Sequence, residues 1–419
     1  MQETSGGGRV TEATEPRPLD GLRIIDLSLF VAGPFGTALL ADLGAEVIKV
    51  EPPGGDPIRH NRVGPQIGDV NAQFHTYNRG KSSVELDLKS SAGKRVLYDL
   101  CTAADAVFDN FRPGVMERLE LDHATLVQFN PTLVSVSLSA FGHQGPWAKR
   151  PGYDLIVQAL GGGMSITGHP ETGPAHIPFH LGDTAGGLYS AVAILAAVLQ
   201  ARSTGSGRAY EVSMLDAQLS LLGDEITNNL TGNWANPQHG AGHPGLSPYS
   251  AYETADDPIV VAAVGVEKFW RSFLTALGLD NLATDPRFSN NAERCKHRAE
   301  LESILQPRLR ARDSAHWLRQ FEALDVPAAP VLGVGDAIVT PHAKARDLIA
   351  TVDTGTPERA HVPVAPLRYT GKGPFTPTKG SPSLGVDSAD TLQRILSYTE
   401  ADLERLKTEG AFGDRADRS

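Results

Sequence analysis

Cysteine is nearly absent from this 419-residue chain: Cys101 and Cys295 are the two, and they have no CxxC spacing. That excludes a disulfide framework and points to a reducing, cytoplasmic compartment. Neither lies in a nucleophile motif, and both read as buried bystanders. Positive charge is also short, with 38 Lys and Arg against 49 Asp and Glu for a net charge of −11. A bulk nucleic-acid or anionic-membrane binder is therefore not expected, although a local basic pocket for a phosphorylated ligand is compatible with the balance. No apolar run reaches 18 residues, and the longest, around 191–199, reads as too short to cross a bilayer. The first 17 residues mix both charges and lack an apolar stretch, so they read as a disordered tail and not a secretory signal. The first βα turn is not GxGxxG, the glycine clusters at Gly54-Gly55 and Gly161–Gly163 match neither a dinucleotide nor a P-loop fingerprint, and GxSxG and HExxH patterns are missing. His239 and His243 have helical ligand spacing but sit among glycines and prolines, and no metal site is expected.

What is present is an ordinary globular composition, 41% apolar and 21% charged, over a length suited to two or three domains. From Leu19 onward β-rich runs alternate with helical spacing. Strands are expected at 22–27, 46–50, 83–86, 106–109, 133–138 and 209–213, with helices at 35–43, 91–103 and 184–202. Repeated βα pairs argue for an α/β fold with a doubly wound, mostly parallel sheet. The helix from Thr184 is nearly all apolar and is expected to be buried. A further helix is expected at 216–229, then a Pro- and Gly-rich break, a strand pair within 252–264, and helices at 267–277, 292–309 and 313–324.

Few residues stand out as chemical. Asp183, in Leu181-Gly182-Asp183-Thr184-Ala185-Gly186-Gly187, stands at the start of the long helix. It has two compatible readings, an N-cap for the first-turn amides or a nucleophilic carboxylate beside amides that steady an oxyanion. Tyr153 and Asp154 follow a turn and could face one cavity. Asn110 and Phe111, with Arg112 and Arg118 beyond, follow a strand's carboxyl end, where open α/β sheets bind ligands and where arginines suit phosphate. The first βα turn, including Phe30, Val31 and Ala32, could hold a ligand at a helix N-terminus.

These segments, in order, resemble the class III CoA-transferases, which include formyl-CoA transferase and carnitine CoA-transferase and share their fold with 2-methylacyl-CoA racemases. The resemblance rests on PLDGLRIIDLS from Pro18, AGP from Ala32, DLGAEVIKVEPPGGD from Asp42 and NRGKSSVELDLK from Asn78. It continues through NFRPGVMERL from Asn110, RPGYDLIVQALGG from Arg150, LGDTAGGLYS from Leu181 and HPGLSPYSAYETADD from His243. It implies a Rossmann-like doubly wound large domain at 18–226 and 327–419, a small α/β domain at 227–326, and an interlocked homodimer. It also implies CoA transfer from an acyl-CoA donor to a carboxylic acid, through an acyl-aspartyl anhydride and an aspartyl-CoA thioester. Asp183 is the implied nucleophile, with Tyr153 and Asp154 lining the catalytic cavity. CoA contacts map onto Phe30, Val31, Ala32, Leu86, Asn110, Phe111 and Arg118. CoA thioesters are substrates, and no permanently bound cofactor is implied. The alternative activity is racemisation, but the related racemases carry a histidine where this chain has Tyr153. Val31 stands where oxalate-using relatives carry a glutamine. With Phe30 and Met164 it suggests an apolar lining that favours a larger acid than oxalate, with His75, His143 or Arg79 holding a distal carboxylate.

Overall fold

The computed structural model describes residues 15–232 and 237–413, so most of the expected tail lies outside the described residues. Its last residues are anchored: the Arg17 guanidinium donates to the carbonyls of Asp42 and Thr376. The chain divides into two compact units. One comprises the described residues through Asp154, together with His180–Ala217 and those from Arg346 onward; the other comprises Leu155–Phe179 and Gln218–Ala345. The divisions fall elsewhere than the expected 226/227 and 326/327. Residues 155–179 join the second unit because the Gln158 side chain bonds both Ile177 and Phe179, and Gln218 donates to the Gln158 carbonyl.

The first unit is built on six strands: β1 (Arg23–Asp26), β2 (Glu46–Glu51), β3 (Ser82–Glu85), β4 (Ala106–Asp109), β5 (Val134–Ser139) and β6 (Ala209–Ser213). Their order across the sheet is β6-β5-β4-β1-β2-β3, and every pairing is parallel. Strands covered on both faces need apolar residues on both, which is why RIID and AVFD read as runs and not as alternations. The chain builds outward from β1 to β3, returns to β4, and builds outward the other way. The order thus reverses between β1 and β4, and a crevice forms there at the carboxyl ends of the strands.

Three helices matter most here: α1 (Ala32–Asp42), α2 (Ser91–Thr102) and α3 (Leu181–Thr204). α2 is capped by Ser90 and packs Val96, Leu97 and Leu100 against the sheet. α3 begins three residues earlier than its sequence pattern suggests and ends at Gly205, whose φ of +71° suits a glycine terminator. Its 24 residues are long and apolar enough to cross a membrane, correcting the expectation from the uninterrupted run, although only half of the most apolar stretch is buried within this chain. The expected full burial is also corrected. Gly182, Ala185, Gly186, Ala191, Ile194 and Val198 face inward, while Leu188, Val192 and Leu199 are exposed.

α1 and α3 approach each other backbone to backbone. A methyl group on Gly187 would overlap the carbonyl oxygen of Ala32, and one on Gly36 would overlap the carbonyl oxygen of Gly187. In the second unit an antiparallel sheet of Tyr249–Tyr252, Ile259–Ala262 and Ala328–Pro330 packs with helices Glu267–Leu277, Arg298–Leu309 and Ser314–Ala323. Its core holds Trp270, Phe273, Phe288, Trp317 and Phe321. The expected single helices at 216–229 and 292–309 are each broken, at Leu222 and at His297. Cys101 is buried as expected, with burial pushing its thiol up to about 12, whereas Cys295 is only half-buried.

Gly187→Ala should lower stability by about 1–3 kcal/mol, the usual cost of overfilling a close contact. Gly223→Ala, where a Cβ meets nothing within 4 Å, should not. Urea midpoints of the two variants check this; equal midpoints would show that the α1–α3 contact yields freely.

Candidate active site

Eight of the charged side chains buried in the first unit pair along the sheet and its adjoining loops: Asp26 with Lys81, Asp42 with Arg79, Glu51 with Arg59 and Asp56 with Lys49. Each of these eight has an opposite partner, as burial requires, and Glu85 and Asp109 are buried as well. Asp26 accepts from Lys81 Nζ at 2.9 Å, Thr37 Oγ1 at 2.6 Å and the Ser28 amide at 2.9 Å. Burial would push Asp26 up, but Lys81 and Lys49, with the Ser28 and Thr37 hydroxyls, outweigh it and hold the carboxyl down to about 2. Glu51 takes Arg59 in a two-pronged pair at 2.8 and 2.7 Å, and burial of the acid is again outweighed, leaving it at about 2. Lys49 bonds the Ser28 carbonyl at 2.7 Å and Asp56 at 2.9 Å.

That network shapes the loop after β1. Phe30 has a φ of +64°, a left-handed conformation that costs an aromatic residue about 1–2 kcal/mol. Its amide is held by both oxygens of Asp56 at 3.2 Å. On the other side, Asn110 accepts from the Leu29 amide and donates to the Leu29 carbonyl, both at 2.8 Å. The loops after β1 and β4 are thereby locked together at the point where strand order reverses. Next to Asn110, Asp109 is pushed up to about 7 by burial, against bonds from the Phe111 amide and Ser137.

Asp183 occupies the first turn of α3. It is not the cap: the residue preceding the helix is His180, and the carboxylate acting on the first-turn amides is Asp154. One oxygen of Asp154 accepts from Gly182 N–H at 2.6 Å and Asp183 N–H at 3.3 Å, and Thr184 N–H bonds the His180 carbonyl. The expected N-cap role of Asp183 is corrected: the Gly182 and Asp183 amides are taken by Asp154. The Asp183 side chain keeps 18% of its surface exposed, with His180 Nδ1 3.9 Å away. Burial, and then the Asp154 charge, push it up to about 7. Tyr77, on the helix Ala72–Asn78, is pushed up by its own burial and by the charge of Asp183.

Other expected residues separate into two groups. Phe30 is exposed, Ala32 is buried at the start of α1 against Gly187, and Asn110 and Phe111 are partly buried behind β4. Arg118 is exposed on the short helix Val115–Leu119. Tyr153 is 73% exposed in this chain. The Leu86 side chain is wholly buried in the core beside Ile48 and Val84, and its amide is taken by the Glu51 carbonyl. The apolar lining expected at Val31 is a correction, because that side chain packs inward against Ile58 and Phe74. His75 and Arg79 are buried, bonded to Ser381 and Asp42 respectively, which leaves His143 as the accessible one of the three residues considered for a distal carboxylate. Asp56, Tyr77 and His180 escaped sequence reasoning. Asp56 ended a recognised segment and Tyr77 immediately preceded another, but neither spacing revealed a partner. No group of three or more His, Cys, Asp or Glu among the described residues is arranged to hold a metal ion.

A parallel α/β unit with a carboxylate poised near neutrality at a helix start and a rigid loop at its strand-order reversal suits acyl transfer. The chain belongs to CoA-transferase family III, whose model matches residues 19–388. It is accordingly an enzyme of that family. It is 35% identical over 393 residues to the acetyl-CoA:oxalate CoA-transferase of Acetobacter aceti, covering 93% of this chain and 99% of that protein. It is 31% identical over 396 residues to the succinyl-CoA:glutarate CoA-transferase of Mus musculus, covering 94% and 90%. Among solved structures, a CAIB/BAIF family protein from Brucella suis superposes with a TM-score of 0.81 at 32% identity, covering 91% of this chain and all of that one.

The raised Asp183 carboxyl has a consequence for stability. A folded-state value of about 7, against 3.8 for the ordinary group, means that the folded chain holds this proton more tightly than the unfolded chain. Its contribution is present in full below pH 4 and is lost as pH rises through 7. Asp183→Asn should therefore gain on the parent between pH 5 and pH 8, by on the order of 2–3 kcal/mol. Urea denaturation at the two pH values checks this, and a gap that does not widen would place Asp183 in the ordinary range.

Proposed function

We propose that this enzyme moves CoA from an acyl-CoA donor to a carboxylic acid through covalent chemistry at Asp183. The observation that carries the reading is the environment of that carboxylate: partly exposed, at a helix start, and poised near neutrality in a family III chain. An Asp183 oxygen attacks the donor thioester carbonyl, the C–S bond breaks, and the CoA thiolate leaves a mixed anhydride. The thiolate attacks the Asp183 acyl carbon, releasing the donor acid and leaving an aspartyl-CoA thioester. The acceptor carboxylate then displaces the thiolate to form a second anhydride. Thiolate attack on the acceptor's acyl carbon gives the new acyl-CoA and regenerates the Asp183 carboxylate. Thioester energy is carried from bond to bond, so the protein's task is positioning.

In this reading the loop at Phe30, Val31 and Ala32 and the segment at Asn110 and Phe111 border the CoA site, with backbone and not the buried Val31 side chain as the contact surface. Arg118 meets phosphate, and Tyr153 faces the cavity. With the Val31 lining withdrawn, nothing disfavours a small diacid, and the oxalate and glutarate named for the two relatives support a dicarboxylate acceptor. The exposed Leu188, Val192 and Leu199 support a homodimer in which a second copy covers that face of α3. We place the enzyme in the cytoplasm on its two unpaired cysteines.

Incubation with succinyl-CoA or acetyl-CoA and a panel of diacids, read by mass spectrometry of new CoA esters, tests the activity. Asp183→Ala should abolish transfer while the chain stays folded, and hydroxylamine during turnover should mark Asp183. Near-normal turnover by the folded variant would overturn the mechanism. Arg118→Ala should weaken CoA esters by about 10- to 150-fold, the equivalent of losing one charge-assisted bond, without changing which acids are accepted.

A further inference from the structure

Asp183 sits where a helix normally stabilises a carboxylate, because amides in the first turn point outward and the helix dipole favours negative charge. That stabilisation is diverted. A single oxygen of Asp154 takes the amides of Gly182 and Asp183 itself, and the Thr184 amide turns back to His180. We propose that Asp154 is a positioning residue that acts through Asp183: it occupies the helix-terminal amides and sets a like charge beside the nucleophile, keeping that carboxylate poorly stabilised and hence reactive. This rests on the reading of Asp183 as the nucleophile.

The groups around Asp183 leave Asp154 as the cause. His180 approaches to 3.9 Å on the same segment, and Tyr77 on the helix Ala72–Asn78 is near enough to feel the Asp183 charge. After burial, the charge that pushes Asp183 upward is that of Asp154. Asp154 reaches it from 28 and 29 residues away in sequence, at the first position of the helix Asp154–Leu160, so the link is tertiary and not a local cap. A like carboxylate this close raises its neighbour, as in paired-acid sites generally. The pairing therefore divides labour: one acid secures the helix start, and the other is left without amide partners of its own.

The test is a direct titration of Asp183 in protein labelled at aspartate Cγ, with Asp183→Asn assigning the resonance. Asp154→Asn keeps an oxygen to accept both amides, so the helix start survives, but it removes the charge. Its Asp183 midpoint should fall from about 7 by at least about one pH unit. Asp154→Ala also frees the amides and should lower the midpoint at least as far. The acid limb of kcat/KM for CoA transfer should move to lower pH by the same amount in Asp154→Asn, which a merely structural role would not produce. A folded Asp154→Asn chain whose midpoint stays in place overturns the proposal. A midpoint that falls in a protein without CoA transfer upholds the coupling and overturns the proposed reaction instead.

Discussion

The contact on which the arrangement depends is the backbone approach of α1 and α3, where Gly187 meets the Ala32 carbonyl and Gly36 meets the Gly187 carbonyl. Two helices with ordinary side chains at the crossing keep their axes 8–10 Å apart; removing both Cβ atoms lets them close further. Asp183 lies one helical turn before Gly187, and Ala32 begins α1 directly after the loop at Phe30. The crossing thus fixes the distance between the Asp183 carboxylate and the loop over the strand ends. A small shift at either glycine would be felt at both, and a site assembled from them needs geometry that holds to fractions of an ångström.

The buried ions serve the same loop from beneath. Lys49 bridges Ser28 and Asp56, and Asp56 holds the amide of Phe30 in its left-handed conformation. A buried ion pair adds little net stability, because desolvation of both partners offsets their attraction. What it does supply is direction, since a charged group bonded on all sides has one arrangement. Asp26, with four protein donors and no exposed surface, is of this kind. The carboxyl end of the sheet is therefore a rigid polar floor, and the loop above it is shaped before any ligand arrives.

Much of the fold was legible because central parallel strands must be apolar on both faces and helices between them must show a 3.6-residue stripe. All six strands of the large sheet fall within a few residues of the expected runs. Asp183 was legible through its small-residue setting, but its cap was not: the capping acid lies 29 residues upstream, and sequence offers no sign of a pairing made only by folding. The side-chain directions of Leu86 and Val31 were not legible for a different reason. A recognised segment says that a residue lies near a strand end without saying which way its side chain points, and both point into the core. The broken helices at Leu222 and His297 keep apolar spacing across the break, so periodicity alone joined them.

Two raised acids of the first unit, Asp109 and Asp183, show how differently burial can act. Asp109 is pushed up to about 7 by burial against two hydrogen bonds and has a structural task, turning the chain after β4 through the Phe111 amide. Asp183 is raised as far, but it keeps surface open and has the charge of a second acid beside it. Burial alone would produce an inert, protonated group. Partial exposure together with a charge that could have been placed elsewhere produces a carboxylate that ionises near neutrality at the surface. A carboxylate in that state opposes stability in the folded chain, and the closely packed glycine crossing and saturated ionic floor around it are the rigid surroundings able to hold it there.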